Sequence, residues 1–368
     1  MNVPFVDLTR QFNPLMPQFQ TAFQSVVDRC AFINGPEVRE FEKRMARHLG
    51  LPGVCAVSNC THAIYLTLKA LGVGEGDEVI TAPNTAFPTS EAINLAGAEV
   101  VFADIVPGSY ALDPKAAEVA ITDKTKAIIP VHLYGIPAEM DSFVWLGKKY
   151  KLSIIEDVAQ AQGARYKGRR LGAIGRAGCF SFFPSKNLGA FGDGGAVASA
   201  DGQLIKKVRM LANHGREVKY THQLIGTNSR LDTLKAAQLT ICLEHLDRWN
   251  QERRNAADIY EELLKPYEEI IRPQVPAQCE AVWHVYVIRY KERDKLAAFL
   301  NEQGVKTGLH YPRPLHLQPV YDYLGLSEGA LPGAEAACRE VLSLPMFPKI
   351  TPPEIEAVAG AIGRFFGS

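Results

Sequence analysis

The chain has 368 residues, 47% of them hydrophobic, and Lys+Arg balances Asp+Glu at 40 each, so the formal net charge is zero. That length exceeds what one small core can use and points to two domains, while the charge balance, with no Lys/Arg run, builds no field for nucleic acid. The seven cysteines form no C-x-x-C pair, which argues against a disulfide framework, a zinc site or a cysteine-held cluster.

The chain opens Met1-Asn2-Val3-Pro4-Phe5-Val6-Asp7, with an early acid and no basic leader segment, and no apolar run reaches membrane length. A cytoplasmic protein with no membrane partner and no metal is expected. In chain order, the first chemical signal is Ser58-Asn59-Cys60-Thr61-His62-Ala63, between a strand-like and a helical stretch. Unpaired N–H groups at a helix start, aided by the helix dipole, suit a phosphate; Ser58 or Asn59 also reads as an ordinary N-cap. A helix is predicted over residues 61–70, with Ile64, Leu68 and Leu71 on one face and Gly72 at its stop.

Strand-like runs follow at residues 78–82, 99–105, 126–133, 152–156 and 178–183, nearly all punctuated by Gly or Pro. Strands alternating with helices imply an α/β class with a largely parallel sheet covered on both faces. Asp157 ends an apolar strand, where open α/β sheets place ligands; it reads as a cap acid or as a carboxylate for a cationic ring nitrogen. Gln160 could bond a ring hydroxyl, and Ser181 could add a hydroxyl to a phosphate site. Lys186 follows the aromatic strand Phe180-Ser181-Phe182-Phe183 and precedes Gly192-Asp193-Gly194-Gly195. It reads as a solvated lysine or as an amine made neutral by apolar walls and able to bond covalently to an aldehyde.

Asn228 and Arg230 sit at a loop and helix start, and His310-Tyr311-Pro312 fits a packed loop as well as a ligand contact. One long helix is predicted from about 231 to 265, stopped by Pro266, between a large domain at 1–245 and a small α+β domain at 246–368. The latter begins with a strand over 281–290 and a helix over 292–303, which Gly304 ends.

Taken in order, the phosphate turn, Asp157, and Lys186 29 residues later resemble fold-type I pyridoxal phosphate (PLP) enzymes. More narrowly, the chain resembles the DegT/DnrJ/EryC1/StrS sugar aminotransferases. The motifs run from Pro4-Phe5-Val6-Asp7-Leu8 and Phe32-Ile33-Asn34-Gly35-Pro36 through Glu156-Asp157-Val158-Ala159-Gln160 to Ser343-Leu344-Pro345. The resemblance implies a fold-type I PLP transferase, with PLP bonded to Lys186 and its pyridinium against Asp157. Gln160 would meet the ring hydroxyl, and Cys60, Thr61 and Ser181 the phosphate. Asn228 would reach the cofactor of the neighbouring subunit in a homodimer with shared sites, and Arg230, His310 and Tyr311 would line the nucleotide-sugar pocket. Many members place a ring-stacking aromatic at the position of Ala86; here Phe87 becomes the stacker. Many also have His where this chain has Gln162.

The implied reaction moves nitrogen from L-glutamate to a nucleotide-linked keto-sugar, at C3 by the wording of the Lys186–Gly195 segment. A dehydratase branch replaces the lysine with histidine, so Lys186 argues against it. An aminohydroxybenzoate-forming enzyme and a non-catalytic PLP-bearing sensor are the alternatives.

Overall fold

The computed structural model describes residues 2–106 and 108–367. Seven strands build the central sheet: β1 Gly53–Val57, β2 Glu78–Thr81, β3 Glu99–Phe102, β4 Thr125–Ile129, β5 Ser153–Asp157, β6 Ala177–Ser181 and β7 Gly195–Ser199. Their spatial order is β1-β7-β6-β5-β4-β2-β3. Only β7 runs against its neighbours, pairing antiparallel with both β1 and β6. The sheet is therefore mostly parallel, and the near-continuous apolar strands follow from burial on both faces. β7 was not anticipated. Gly195-Ala-Val-Ala-Ser199 carries small residues because all five positions are buried between neighbours, leaving no large apolar signal to read.

The helix α1, Cys60–Leu71, begins at Asn59, whose side chain accepts from the His62 N–H, and ends at Gly72 in the left-handed region (φ +84°). The predicted helix over 231–265 is corrected: it is two helices, α2 Thr233–Leu243 and α3 Leu246–Leu264. The break at Glu244 and His245 has no Gly or Pro to mark it, and the apolar stripe of Leu239, Leu243, Leu246 and Trp249 runs across it. The predicted strand over 281–290 shortens to β8, Tyr286–Arg289, paired antiparallel with β9, Val341–Leu344. Residues 281–285 instead form a buried loop held to the large sheet's side of the molecule.

One hydrophobic core fills the face of the sheet against α2 and runs on to Val282, Val285 and Val287. Another packs α1 on the opposite face. A third joins α3, β8 and β9 and includes Val3, which bridges in parallel to Val305.

Candidate active site

The carboxyl ends of β5 and β6 and the start of α1 converge on one cavity of about 400 Å³. Its walls include Cys60, Thr61, Asp157, Ser181, Lys186, His310 and Tyr311, so seven of the predicted site residues are brought together. This is the crevice outside the strand ends where open α/β sheets bind ligands.

At the start of α1, the Cys60 and Thr61 N–H groups have no acceptor among the described residues, whereas those of His62 and Ala63 are used by Asn59. β7 can pass close beneath this turn because Gly195 has no side chain. A Cβ there would lie 2.4 Å from the Asn59 carbonyl carbon and 2.9 Å from the Cys60 nitrogen. Ser181 turns into the same corner from β6. Two free amides, a hydroxyl and the positive end of a twelve-residue helix make an anion cradle. Burial and the nearby Asp157 charge push the Cys60 thiol well above its usual range, so it is no nucleophile.

Asp157 is buried, yet both oxygens are held. Oδ2 accepts from the Thr89 hydroxyl at 2.8 Å and Oδ1 from the Ala159 N–H at 3.0 Å. Burial raises its pKa, and the two hydrogen bonds and Lys186 pull it back. A carboxylate so enclosed favours a cationic hydrogen-bond donor. Lys186 is enclosed by protein except where its amine borders the cavity, and its Nζ has no hydrogen-bond partner among the described residues. Burial lowers its pKa to about 8, against the opposing pull of Asp157 and Cys60. An amine near that value is deprotonated often enough to attack an aldehyde.

Gln160 lies behind Tyr311: its Nε2 donates to the Tyr311 hydroxyl at 3.2 Å and its Oε1 accepts from the Tyr134 N–H at 2.7 Å. Burial pushes the Tyr311 phenol up to about 12, keeping it protonated. His310 stacks on Phe5, and its Nδ1 meets the Ser343 hydroxyl at 2.8 Å; burial and Lys186 push its pKa down to about 4. Gln162 does not enter the cavity, and its amide donates to the Ser181 carbonyl.

Three predicted residues lie elsewhere. Phe87 is the first residue of the helix Phe87–Leu95 and its ring turns to Tyr321, 6.1 Å away, while Ala86 and Pro88 face the cavity. The expected stacking position is thus occupied by a methyl group, because Ala86 is the N-cap and the helix start carries Phe87 outward. Asn228 is exposed, and Arg230 lines a separate hollow of about 460 Å³ with Arg39, Glu42 and Arg209. There Arg230 donates to Asn213 at 3.3 Å, but its Nε is buried without an acceptor.

Sequence reading missed Thr89 and His284. Thr89 carries no signal beyond a helical threonine, and His284 reaches the cavity on the buried loop that precedes β8.

The DegT/DnrJ/EryC1/StrS aminotransferase family matches residues 15–363. The chain belongs to this family. A "pleiotropic regulatory protein" of Geobacillus stearothermophilus is 44% identical over all of this chain and 99% of its own length. A dTDP-3-amino-3,4,6-trideoxy-α-D-glucose transaminase of Streptomyces venezuelae is 42% identical, with 98% of this chain and 95% of that protein covered. The crystal structure of S. venezuelae DesV in complex with a ketimine intermediate superposes with a TM-score of 0.97 at 41% identity, covering 99% and 98% of the two chains. As a member of this aminotransferase family the chain uses PLP, and the cradle, the buried carboxylate and the lowered lysine fit that cofactor's phosphate, ring nitrogen and aldehyde. Among the described residues no helix is long and apolar enough to cross a membrane.

Proposed function

We propose that this enzyme transfers the amino group of L-glutamate to C3 of a keto-sugar carried on a nucleotide, as a dimer whose sites are shared. The observation that carries the reading is the single cavity in which a lowered lysine, a buried carboxylate and two free helix-start amides meet. When bound, PLP supplies an electrophilic carbon and a ring that accepts electrons. The protein supplies the rest. Cys60 and Thr61 amides with the Ser181 hydroxyl hold the phosphate, and Asp157, fixed by Thr89 and Ala159, keeps the ring nitrogen protonated. Gln160, bonded to the Tyr311 hydroxyl, would hold that phenol towards the cofactor ring. The Lys186 amine holds the resting cofactor. Once displaced, it takes the proton from the α-carbon of the amino donor and later delivers one to the sugar carbon, as general base and then acid.

The relative that acts on a dTDP-linked 3-amino sugar supports the substrate class and the C3 position. Lys186, held in the turn that follows β6 by the bond of its N–H to the Phe183 carbonyl, delivers its proton to one region of the cavity, and a misplacement of about 1 Å already costs much of a rate, so one ring carbon should be preferred. The dimer is supported by what lies outside the cavity: Asn228 exposed, Arg230 with an unused buried Nε, and a hairpin at Arg216–Val218 and Thr221–His222. That hairpin leads to Ile225, fully exposed, with Tyr220 78% exposed. Such apolar exposure marks an association surface.

Purified holoenzyme mixed with L-glutamate should convert its cofactor to the amine form and release one equivalent of 2-oxoglutarate per site. No 2-oxoglutarate would overturn the reading in favour of a regulator, as the name of the Geobacillus relative suggests. An aromatic product from a cyclic keto-acid would move the enzyme to the aminohydroxybenzoate type.

A further inference from the structure

The cavity contains one polar side chain that the chain itself leaves unused. His284 is 8% exposed, its Nδ1 is buried with no partner, and neither ring nitrogen has a hydrogen bond among the described residues. Buried polar groups in folded proteins are nearly always paired, so an unpaired one facing a cavity points to a ligand.

Its backbone is held from three sides. The His284 N–H donates to the Tyr134 carbonyl at 2.9 Å, and the neighbouring Val282 N–H to Gly135 at 3.0 Å. Gly135 (φ +88°) permits this approach, since a Cβ there would lie 3.0 Å from the His284 nitrogen. The carbonyls of Trp283 and His284 both accept from Arg253 Nη1 at 3.1 Å. The Val282 carbonyl accepts from Asn187, the residue after Lys186, at 2.9 Å. The loop carrying His284 is thus tied to the segment carrying Lys186, so the His284 backbone is held in place beside the cavity.

The surroundings decide what it would bind. Arg253 is buried behind the loop and bonds three backbone carbonyls with no ion-paired carboxylate among the described residues, and only Glu252 offsets its charge, from a distance. Burial, Lys186, Arg253 and His310 keep the imidazole neutral, with one N–H to give. Among the described residues no arginine lines this cavity. Near Lys186, the Tyr311 hydroxyl already accepts from Gln160 and His310 Nδ1 is bonded to Ser343, whereas among the described residues neither ring nitrogen of His284 has a partner. An amino acid donor brings a carboxylate one bond from the carbon that carries its nitrogen, so that anion must lie beside Lys186.

We propose that His284 is a specificity-determining residue that donates a hydrogen bond to the α-carboxylate of the amino donor. The inference rests on the aminotransferase reading with glutamate as donor.

His284→Ala and His284→Gln holoenzymes should be titrated with 2-methylglutamate, which binds but has no α-hydrogen to transfer, following the absorption of the bound cofactor. The same enzymes should be given L-glutamate, 4-aminobutyrate, which lacks an α-carboxylate, and a nucleotide amino sugar in single half-reactions. A lost hydrogen bond to a charged group predicts that His284→Ala weakens 2-methylglutamate and glutamate on the order of tenfold to a hundredfold. His284→Gln, which keeps an N–H, should recover part of that loss, while 4-aminobutyrate and the amino sugar change less than about threefold. Unchanged affinity for 2-methylglutamate in both variants would overturn the proposal, as would equal losses for the amino acid and the sugar. Wild-type enzyme that fails to react with glutamate while reacting with the amino sugar would instead refute the choice of donor, and the proposal with it.

Discussion

Replacing Lys186 by Met should stabilise the apoenzyme at neutral pH. The amine titrates near 10.5 in an unfolded chain and at about 8 in the fold, lowered chiefly by burial. Between these values the unfolded chain binds more protons than the folded one, so stability rises as pH climbs from 8 towards 10.5. Below pH 8 both states are protonated and the folded chain bears the whole cost. A fall of 2.5 units corresponds to about 3.4 kcal/mol. Because the ammonium also meets water in the cavity, about 3 kcal/mol is a ceiling. Met fills similar volume without charge, so the variant recovers this cost. With the usual unfolding entropy per residue, the gain is roughly 4 °C in Tm at pH 7, shrinking to less than half by about pH 9.5. The assay is thermal unfolding of cofactor-free wild-type and Lys186→Met protein across that pH range. Equal Tm values at pH 7, or a difference that grows with pH, would refute a lysine lowered by its surroundings.

Other outcomes follow from the same geometry. Thr89→Val removes one of two bonds to the Asp157 carboxylate; the raised pKa of Asp157 should rise further, moving the acid limb of the kcat profile to higher pH, and apoenzyme stability at neutral pH should fall by about 1–3 kcal/mol. A limb that stays put would argue that Asp157 does not have to be ionised. Gly195→Ala forces a methyl group into the Asn59–Cys60 turn and should weaken PLP binding in equilibrium dialysis far more than it slows Lys186 labelling once cofactor is bound; unchanged affinity would remove that turn from the phosphate site. Mixing inactive Lys186→Ala with inactive Arg230→Ala chains should restore activity in the heterodimer, and heterodimers that stay inactive would contradict shared sites.

The strands that were legible, at 78–82 and 152–156 for example, are short runs with adjacent β-branched residues (Val79-Ile80 and Ile154-Ile155), and these need no knowledge of neighbours. Strand order and the reversed β7 are set by pairing between distant segments, which local pattern does not encode. Asp157, Ser181 and the Cys60–Thr61 turn were readable because each sits at a strand end or a helix start, and Lys186 because it lies in the turn between an aromatic strand and a Gly-rich stretch. Phe87 misled because one residue of phase at a helix start decides which way a ring points, and Ala86 took the cavity side. His284 was invisible for a different reason: its place depends on Arg253, Asn187 and Gly135, three contacts from three separate stretches of chain. The break between α2 and α3 is likewise a tertiary effect, at residues with no breaking propensity of their own.

Amination of a nucleotide sugar at one carbon can be measured directly. Holoenzyme should be supplied with 2-oxoglutarate and matched nucleotide-linked 3-amino or 4-amino sugars, and glutamate and the keto-sugar followed by mass spectrometry. The account predicts glutamate from the 3-amino compound, faster by at least about tenfold given the cost of displacing the reacting carbon from Lys186. Faster turnover of the 4-amino sugar would contradict the C3 assignment, and glutamate from neither would contradict the substrate class itself.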